Sequence, residues 1–356
     1  MMKVLLIDDE AERGWQEVLE QVLTLEIFSI SDLDSALEEV EKVEYELILL
    51  DLRFGEQDHN SRNIKDYGGY KILKTIKSNF YNVNFSTPII VITATNKVWN
   101  IFSMLENGAD SFYVKEHPDF ANDIAFSRQN YSQLLDSVAT LKIESIKRKE
   151  IWRSIIQIHE LSQQSIENQN IRHRIEEKLK IGYGILFRRI TEIEKQTLLF
   201  NKEVVAFIVF WSILEEISHS YYKRENEKDL EWILASNGEV LQSVDSDGTI
   251  KTKFSTIKDE FVKVDSKALT TTAYQINLSN QICGILRYQQ NWTHHRVRSE
   301  FIDKLNRYRN KVDFIHSNTE VILKQKLIDN QGSIEAYQKC TSILSFIIDI
   351  LHLPSA

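Results

Sequence analysis

A doubly wound α/β domain built on a five-stranded parallel sheet, followed by an all-α helical spacer and a helical C-terminal domain, is the fold class this sequence predicts. Three observations predict it. As far as Lys115, short Val- and Ile-rich runs alternate with amphipathic stretches, the pattern of successive βαβ units. Of the three prolines, Pro88 and Pro118 lie in the first third and Pro354 near the end, so residues 119–353 hold no helix breaker. The 356 residues are 42% apolar and 27% charged, which suffices for two or three hydrophobic cores and excludes a disordered chain. The expected division is 1–125 for the α/β domain, 126–197 for the spacer and 198–356 for the C-terminal domain.

The elements follow in order. Strands are expected at Val4–Ile7, Ile27–Ile30, Leu47–Leu50, Ile89–Thr93 and Phe112–Val114. These are apolar runs of three to five residues, short enough for strands buried on both faces. Four helices fall between them. The first buries Trp15, Val18, Leu19, Val22 and Leu23, and the second Leu33, Ala36, Leu37 and Val40. The third buries Ile72, Leu73 and Ile76, and the fourth Ile101, Met104 and Leu105. Gly108 stands where the fourth helix must stop, at a cap position that favours positive φ.

Functional groups in an open parallel sheet collect at the carboxyl ends of its strands. There the first strand presents Asp8 and Asp9, the third Asp51, the fourth Thr93 and Ala94, and the fifth Lys115. Three carboxylates brought together repel one another unless a hard cation lies between them, and Mg²⁺ takes oxygen ligands of this kind. A hydroxyl from Thr93 and an ammonium from Lys115 complement the remaining oxygens of a phosphoryl group.

With these residues in place, the N-terminal region resembles the receiver domain of two-component response regulators. The matching segments are Val4-Leu5-Leu6-Ile7-Asp8-Asp9-Glu10, Leu47-Ile48-Leu49-Leu50-Asp51, Ile89-Ile90-Val91-Ile92-Thr93-Ala94 and Gly108-Ala109-Asp110-Ser111-Phe112-Tyr113-Val114-Lys115. The resemblance implies a flavodoxin-like fold and a phosphorelay. Asp51 is then the phosphoacceptor for a sensor histidine kinase or phosphotransfer protein, and Asp8, Asp9, Asp51 and the Arg53 carbonyl are ligands of Mg²⁺. Thr93 and Lys115 read the phosphoryl oxygens, and Phe112 holds the aromatic switch position. Two features depart from the family pattern. Lys115 is followed by Glu116-His117 before proline arrives at Pro118, and residues 56–67 form an insertion, polar from Glu56 to Asn63, between Asp51 and Gly68-Gly69. The insertion reads either as a device over the phosphorylation pocket or as a plain surface loop.

From Asp119 to Thr197 the sequence predicts two or three long helices. Leu134, Leu135, Val138 and Leu141, then Ile151, Ile155 and Ile158, recur at spacings of three and four. No heptad lasts long enough for an extended coiled coil. The basic cluster Arg172, His173, Arg174, Lys178 and Lys180 reads as a solvated face. No helix-turn-helix pattern is present, and with a net charge of −9 sequence-specific DNA is not an expected partner.

Residues 198–222 read as one strongly apolar helix, and its apolar stretch Val204–Leu214 is too short to span a bilayer. Val244 to Ile250 reads as a hairpin turn on an excursion between helices. Between Arg287 and Lys311 seven basic residues stand against two acidic ones, interleaved with Tyr288, Trp292, Phe301 and Tyr308. That pattern suits either single-stranded RNA or a charged helical face whose aromatics point into the core. The run from Arg309-Asn310 to His316 resembles the signature of the HEPN superfamily, helical domains that dimerise and include metal-independent ribonucleases. The resemblance implies His316 as general acid or base, Arg309 as a stabiliser of phosphorane charge and Asn310 as an orienting group. In one continuous helix Arg309 and His316 lie about 10 Å apart, so the site would assemble more readily across a homodimer. The other expectation for this output region is a non-enzymatic, phosphorylation-controlled dimerisation or protein-interaction module. Cys283 and Cys340 cannot make a disulfide framework, and the start of the chain lacks a signal-peptide pattern, so a cytoplasmic, non-membrane setting is expected.

Overall fold

The structure is a computed structural model. It describes residues 2–11, 15–23, 25–54, 58, 61, 63–94, 98–115, 124–187 and 202–224, and in the C-terminal third residues 232–234, 242–244, 250–252, 262–263, 278–286, 290, 292–312 and 330–352. The chain divides into two compact units, Met1–Trp152 and Arg153–Ala356.

The first unit is the expected α/β domain. Its strands are β1 (Val4–Ile7), β2 (Ile27–Ile30), β3 (Leu47–Asp51), β4 (Ile89–Thr93) and β5 (Ser111–Val114), arranged 2-1-3-4-5 and all parallel. Side chains alternate across a strand, so each strand feeds both faces. Leu5, Ile7, Ile48, Leu50, Ile89 and Val91 pack on one face with Ala36 and Val40 of α2 (Leu33–Lys42). Ile72, Leu73 and Ile76 of α3 (Gly68–Ser78) and Met104 of α4 (Val98–Glu106) join them. Val4, Leu6, Leu47, Leu49, Ile90 and Ile92 face the other way, against Leu19 and Leu23 of α1 (Trp15–Leu23). Each such aliphatic side chain, fully buried, contributes about 1.5–3 kcal/mol. The sequence also named Trp15, Val18 and Val22 on α1, whose side chains lie outside the described residues. Gly108 has φ +106°, as its cap position demands.

The long helix α5 (Ile124–Ser165) starts close to the expected boundary at 125/126, and its first part packs within the α/β unit. Its residues Leu134, Val138 and Leu141 are buried on the second face of the sheet, while Leu135 is exposed. What reads in sequence as the start of a spacer therefore serves as the last covering helix of the α/β domain, and the first unit runs to Trp152.

In the second unit, α6 (Gln169–Phe187) packs closely on α7 (Lys202–Trp211): a Cβ at Gly182 would meet the Phe210 ring at 2.2 Å. The single apolar helix expected over 198–222 is two helices, α7 and α8 (Ile213–Tyr221), separated by a turn at Ser212. The Ser212 hydroxyl donates back to the Val209 carbonyl at 2.8 Å, a local bond that competes with helix continuation. The region is helical as expected, with an excursion of short strands in 222–263. β6 (Tyr222–Arg224) pairs with β7 (Trp232–Leu234), and β9 (Ile250–Thr252) pairs antiparallel with both β8 (Gln242–Val244) and β10 (Val262–Lys263). β8 and β9 form the expected hairpin, although its turn lies outside the described residues. Helix α9 (Leu278–Gly284) precedes a π-helical segment, Val297–Asn306, which runs into α11 (Arg307–Val312) after the single turn α10 (His294–Arg296). Helix α12 (Asn330–Leu351) closes the region. Its core is aromatic: Phe301 stacks between Trp211 at 5.7 Å and Phe346 at 5.2 Å, and Tyr308 meets Phe207 edge-on at 5.0 Å. Among the described residues, no helix is long and apolar enough to cross a membrane.

Candidate functional site

The parallel register determines which side chains meet at the carboxyl edge. Ile7 pairs with Leu50, Asp51 with Ile92 and Thr93 with Val114, so Asp8, Asp51, Thr93 and Lys115 leave their strands at one level. The Lys115 amide donates to the Thr93 carbonyl at 2.8 Å, extending the ladder by one residue and fixing where the lysine side chain starts. Asp8, Asp51, Thr93 and Lys115 are all buried, and Asp9 is half-buried.

Within this pocket the Lys115 ammonium lies 2.7 Å from Asp8 Oδ2 and 2.6 Å from Asp51 Oδ2. Asp8 Oδ1 accepts the Glu10 amide at 2.9 Å, and among the described residues Asp51 Oδ1 has only a long contact, 3.4 Å, from the Arg53 amide. Burial pushes the Asp51 carboxyl up to about 6, with the neighbouring Asp8 adding to the rise and Lys115 opposing it. Burial alone would lower the Lys115 ammonium, but the two carboxylates outweigh it and hold its pKa above the ordinary lysine value.

One carboxylate oxygen from each of Asp8, Asp9 and Asp51 lies within 4.8 Å of the others. Mg²⁺ holds oxygen ligands at about 2.1 Å, so opposite ligands stand about 4.2 Å apart, and this all-oxygen donor set fits such a cation. The Arg53 carbonyl belongs to the loop that continues directly from Asp51.

Residues 4–122 match the family model described as the response regulator receiver domain. That part of the chain is a receiver domain. Solved structures similar to it include a CheY-like receiver domain protein from Methanospirillum hungatei JF-1, at 18% identity and a TM-score of 0.31 over 41% of this chain and 98% of that one. Another is the receiver domain of Francisella response regulator 1452, at 19% identity and a TM-score of 0.30 over 41% and 99% of the two chains. A third is the receiver of a putative Luxo repressor protein from Vibrio parahaemolyticus, at 22% identity and a TM-score of 0.30 over 40% and 92%. No curated protein is significantly similar to the chain.

In this receiver the sequence-named residues do not all converge. Asp8, Asp9, Asp51 and Lys115 come together, and Thr93 ends the strand beside them. Phe112 is 46% exposed on β5, at a groove of about 760 Å³ between α4 and α5 whose rim also carries the exposed Val98 and Phe102. In the C-terminal region Arg309 is half-buried and its guanidinium donates to the Asn310 side-chain oxygen at 3.3 Å, while His316 lies outside the described residues. Trp292, Phe301 and Tyr308, named as stacking surfaces for RNA or else as core, are core. Of the basic cluster on α6, Arg174 and Lys178 both donate to Glu216 of α8, at 2.7 and 2.8 Å.

Sequence reasoning missed two buried acids. Asp58, inside the insertion, accepts the backbone amides of Phe54 and Gly68 on one oxygen, each at 2.6 Å. Asp110 accepts Arg148 at 2.8 Å and the Ile89 amide at 2.9 Å. Asp110 stands inside the run Gly108 to Lys115 with no mark of its own, and nothing in the sequence separates Asp58 from its polar neighbours.

Proposed function

We propose that the receiver takes a phosphoryl group on Asp51 from a histidine kinase or phosphotransfer protein and relays the change to the helical C-terminal region. The observation that carries this reading is Lys115 bridging Asp8 and Asp51 within 2.7 Å, with Thr93 closing the fourth strand alongside. Asp51 Oδ attacks the phosphorus of a phosphohistidine, the P–N bond breaks, and the released imidazole nitrogen keeps the electron pair and picks up a proton. Asp8, Asp9, Asp51 and the Arg53 carbonyl would hold Mg²⁺, which neutralises charge on the phosphoryl oxygens when bound. Lys115 is already charged and already desolvated, so it can move from two carboxylates to a phosphoryl oxygen without first losing water. The Thr93 hydroxyl donates to a second oxygen. Phosphorylation brings about two negative charges to a buried pocket, which draws Thr93 and Lys115 inward and gives the exposed Phe112 a reason to turn from solvent. Buried, free Cys283 and Cys340 suit a reducing, cytoplasmic setting.

For the output, we read a dimerisation or protein-interaction module in preference to a ribonuclease built on Arg309, Asn310 and His316. Of the aromatic rings that would stack bases, Trp292, Phe301 and Tyr308 lie in the core, and Tyr288 lies outside the described residues. Four of the seven basic side chains of this stretch are paired with acids, Arg296 with Asp349, Lys304 with Glu300, and Arg298 and Arg307 with Asp303.

The test is incubation of the full chain with phosphoramidate and Mg²⁺. Acid-stable, hydroxylamine-labile labelling that disappears in Asp51→Asn supports the phosphoacceptor reading, and labelling that persists overturns it. A change in solution mass on phosphorylation, unaffected by His316→Ala, supports the module. RNA cleavage that His316→Ala abolishes would replace it with the ribonuclease.

A further inference from the structure

The β3–α3 connection is where this receiver departs from its family's pattern, and a single side chain organises it. Asp58 is 94% buried, and its Oδ2 accepts both the Phe54 amide, at the exit from β3, and the Gly68 amide, at the start of α3. The two backbones it joins are in direct contact. A Cβ on Gly69 would lie 2.0 Å from the Asp51 carbonyl oxygen, and one on Gly68 would lie 2.5 Å from Phe54 Cβ. The rest of the described insertion is tied down as well. Ser61 Oγ donates to Asp66 at 2.8 Å, Tyr67 Oη donates to the Ser61 carbonyl at 3.2 Å, and Asn63 caps the short 3₁₀ turn Ile64–Asp66.

The Phe54 N–H and the Arg53 C=O are the two ends of one peptide group. That group is planar and trans, so its N–H and C=O point in opposite directions. An acceptor that fixes the N–H therefore fixes the carbonyl. We infer that Asp58 is a positioning residue of the phosphoacceptor site, which aims the Arg53 carbonyl at the cation pocket formed by Asp8, Asp9 and Asp51. This rests on the phosphoacceptor reading above. It assigns the insertion a task in the site, through one placed oxygen that accepts two backbone amides at once. Gly68 shares the same oxygen, so the carbonyl's aim is locked to the start of α3 as well as to β3.

The experiment is calorimetric titration of Mg²⁺ into the full-length protein without phosphodonor, alongside thermal unfolding of each variant. Outer-shell partners of metal ligands change affinity by about 10–100-fold when removed. Asp58→Ala is expected to weaken Mg²⁺ binding at least tenfold. Asp58→Asn keeps an oxygen at the same reach and is expected to stay within about threefold of the wild type. Asp58→Glu keeps the charge and moves the oxygen by one methylene, so it should bind more weakly than Asp58→Asn. If Asp58→Ala does not fold, the order of the Asn and Glu variants decides. Glu tighter than Asn, or Asn as weak as Ala, would mean that Asp58 acts through its charge and would overturn the proposal. So would an Asp58→Ala protein that binds Mg²⁺ like the wild type. A wild type that takes no Mg²⁺ removes the phosphoacceptor reading and this inference together.

Discussion

At the amino edge of the parallel sheet and at its carboxyl edge the same chemistry is buried, a cation between carboxylates, and the two sites are finished differently. On the amino side Arg148 of α5 reaches Asp110 at 2.8 Å and Glu144 at 2.6 Å, and the second oxygen of Asp110 accepts the Ile89 amide. Around it Ser145 donates to the Glu46 carbonyl, Lys149 to the Tyr45 carbonyl and the Trp152 indole to the Phe80 carbonyl. Donors and acceptors there close on one another. On the carboxyl side one ammonium serves two carboxylates, and among the described residues Asp8 Oδ2 has no well-directed hydrogen bond beyond that ion pair and Asp51 Oδ1 has a single contact at 3.4 Å. Acceptor capacity is left over where a phosphoryl group and a cation would use it. A satisfied buried network holds architecture, whereas an unsatisfied one stores free energy for binding.

Removing one partner of the satisfied network should have the largest effect on stability. Arg148→Ala leaves Asp110 buried against the Ile89 amide with its countercharge gone, and the expected loss is about 3–5 kcal/mol by urea unfolding. Acyl phosphate labelling of the fraction that remains folded should persist. A loss below about 1 kcal/mol would mean that the amino edge is no more committed than the carboxyl edge, and the comparison would fail.

The opposite sign is expected at the carboxyl edge. The folded-state pKa of Asp51 lies above its ordinary value, so between about pH 4 and pH 6 the folded protein binds more protons there than the unfolded chain. Stability then falls as pH rises through that window, and Asp51's contribution is most favourable below it. Asp51→Asn has no such loss. In metal-free buffer its unfolding free energy should exceed the wild type's above pH 6, by a difference on the order of 3 kcal/mol, and the two should converge near pH 4. A variant less stable than the wild type at pH 7.5 would show that Lys115 compensates Asp51 fully.

The smallest effect is expected where charges pair in water. Glu300 and Lys304 are each about half exposed, and Glu300→Gln should shift stability by no more than about 0.5 kcal/mol in the same unfolding experiment. A larger change would place that pair in the class of the buried networks.

Much of the receiver was legible because its signals are local. The five strands fall where apolar runs end in polar turns, and Gly108 announces its own positive φ. The extent of α5 was not legible. Leu134, Val138 and Leu141 recur with the same helical spacing as Ile151, Ile155 and Ile158, and periodicity shows that a face is apolar without showing what covers it. The strands within 222–263 are two or three residues long, too short for an alternating pattern to register. The pocket residues were legible as a set because strand ends line up in a parallel sheet. Asp58 was not, because an acid in a polar insertion looks the same whether it faces water or two backbone amides.

The sequence by itself determined the order of strands and helices, the helical character of the C-terminal region, and the placement of Asp8, Asp9, Asp51, Thr93 and Lys115 at one edge of the sheet. Run length, period and turn residues specify these, and all act over a few residues. Only the tertiary structure decided that Lys115 bridges Asp8 and Asp51, that Arg148 meets Asp110 across 38 positions of chain, and that one oxygen of Asp58 holds both sides of the β3–α3 connection. Those pairings depend on which polar groups are left without water when the cores close, and a buried donor or acceptor must find its partner wherever the packing has put one.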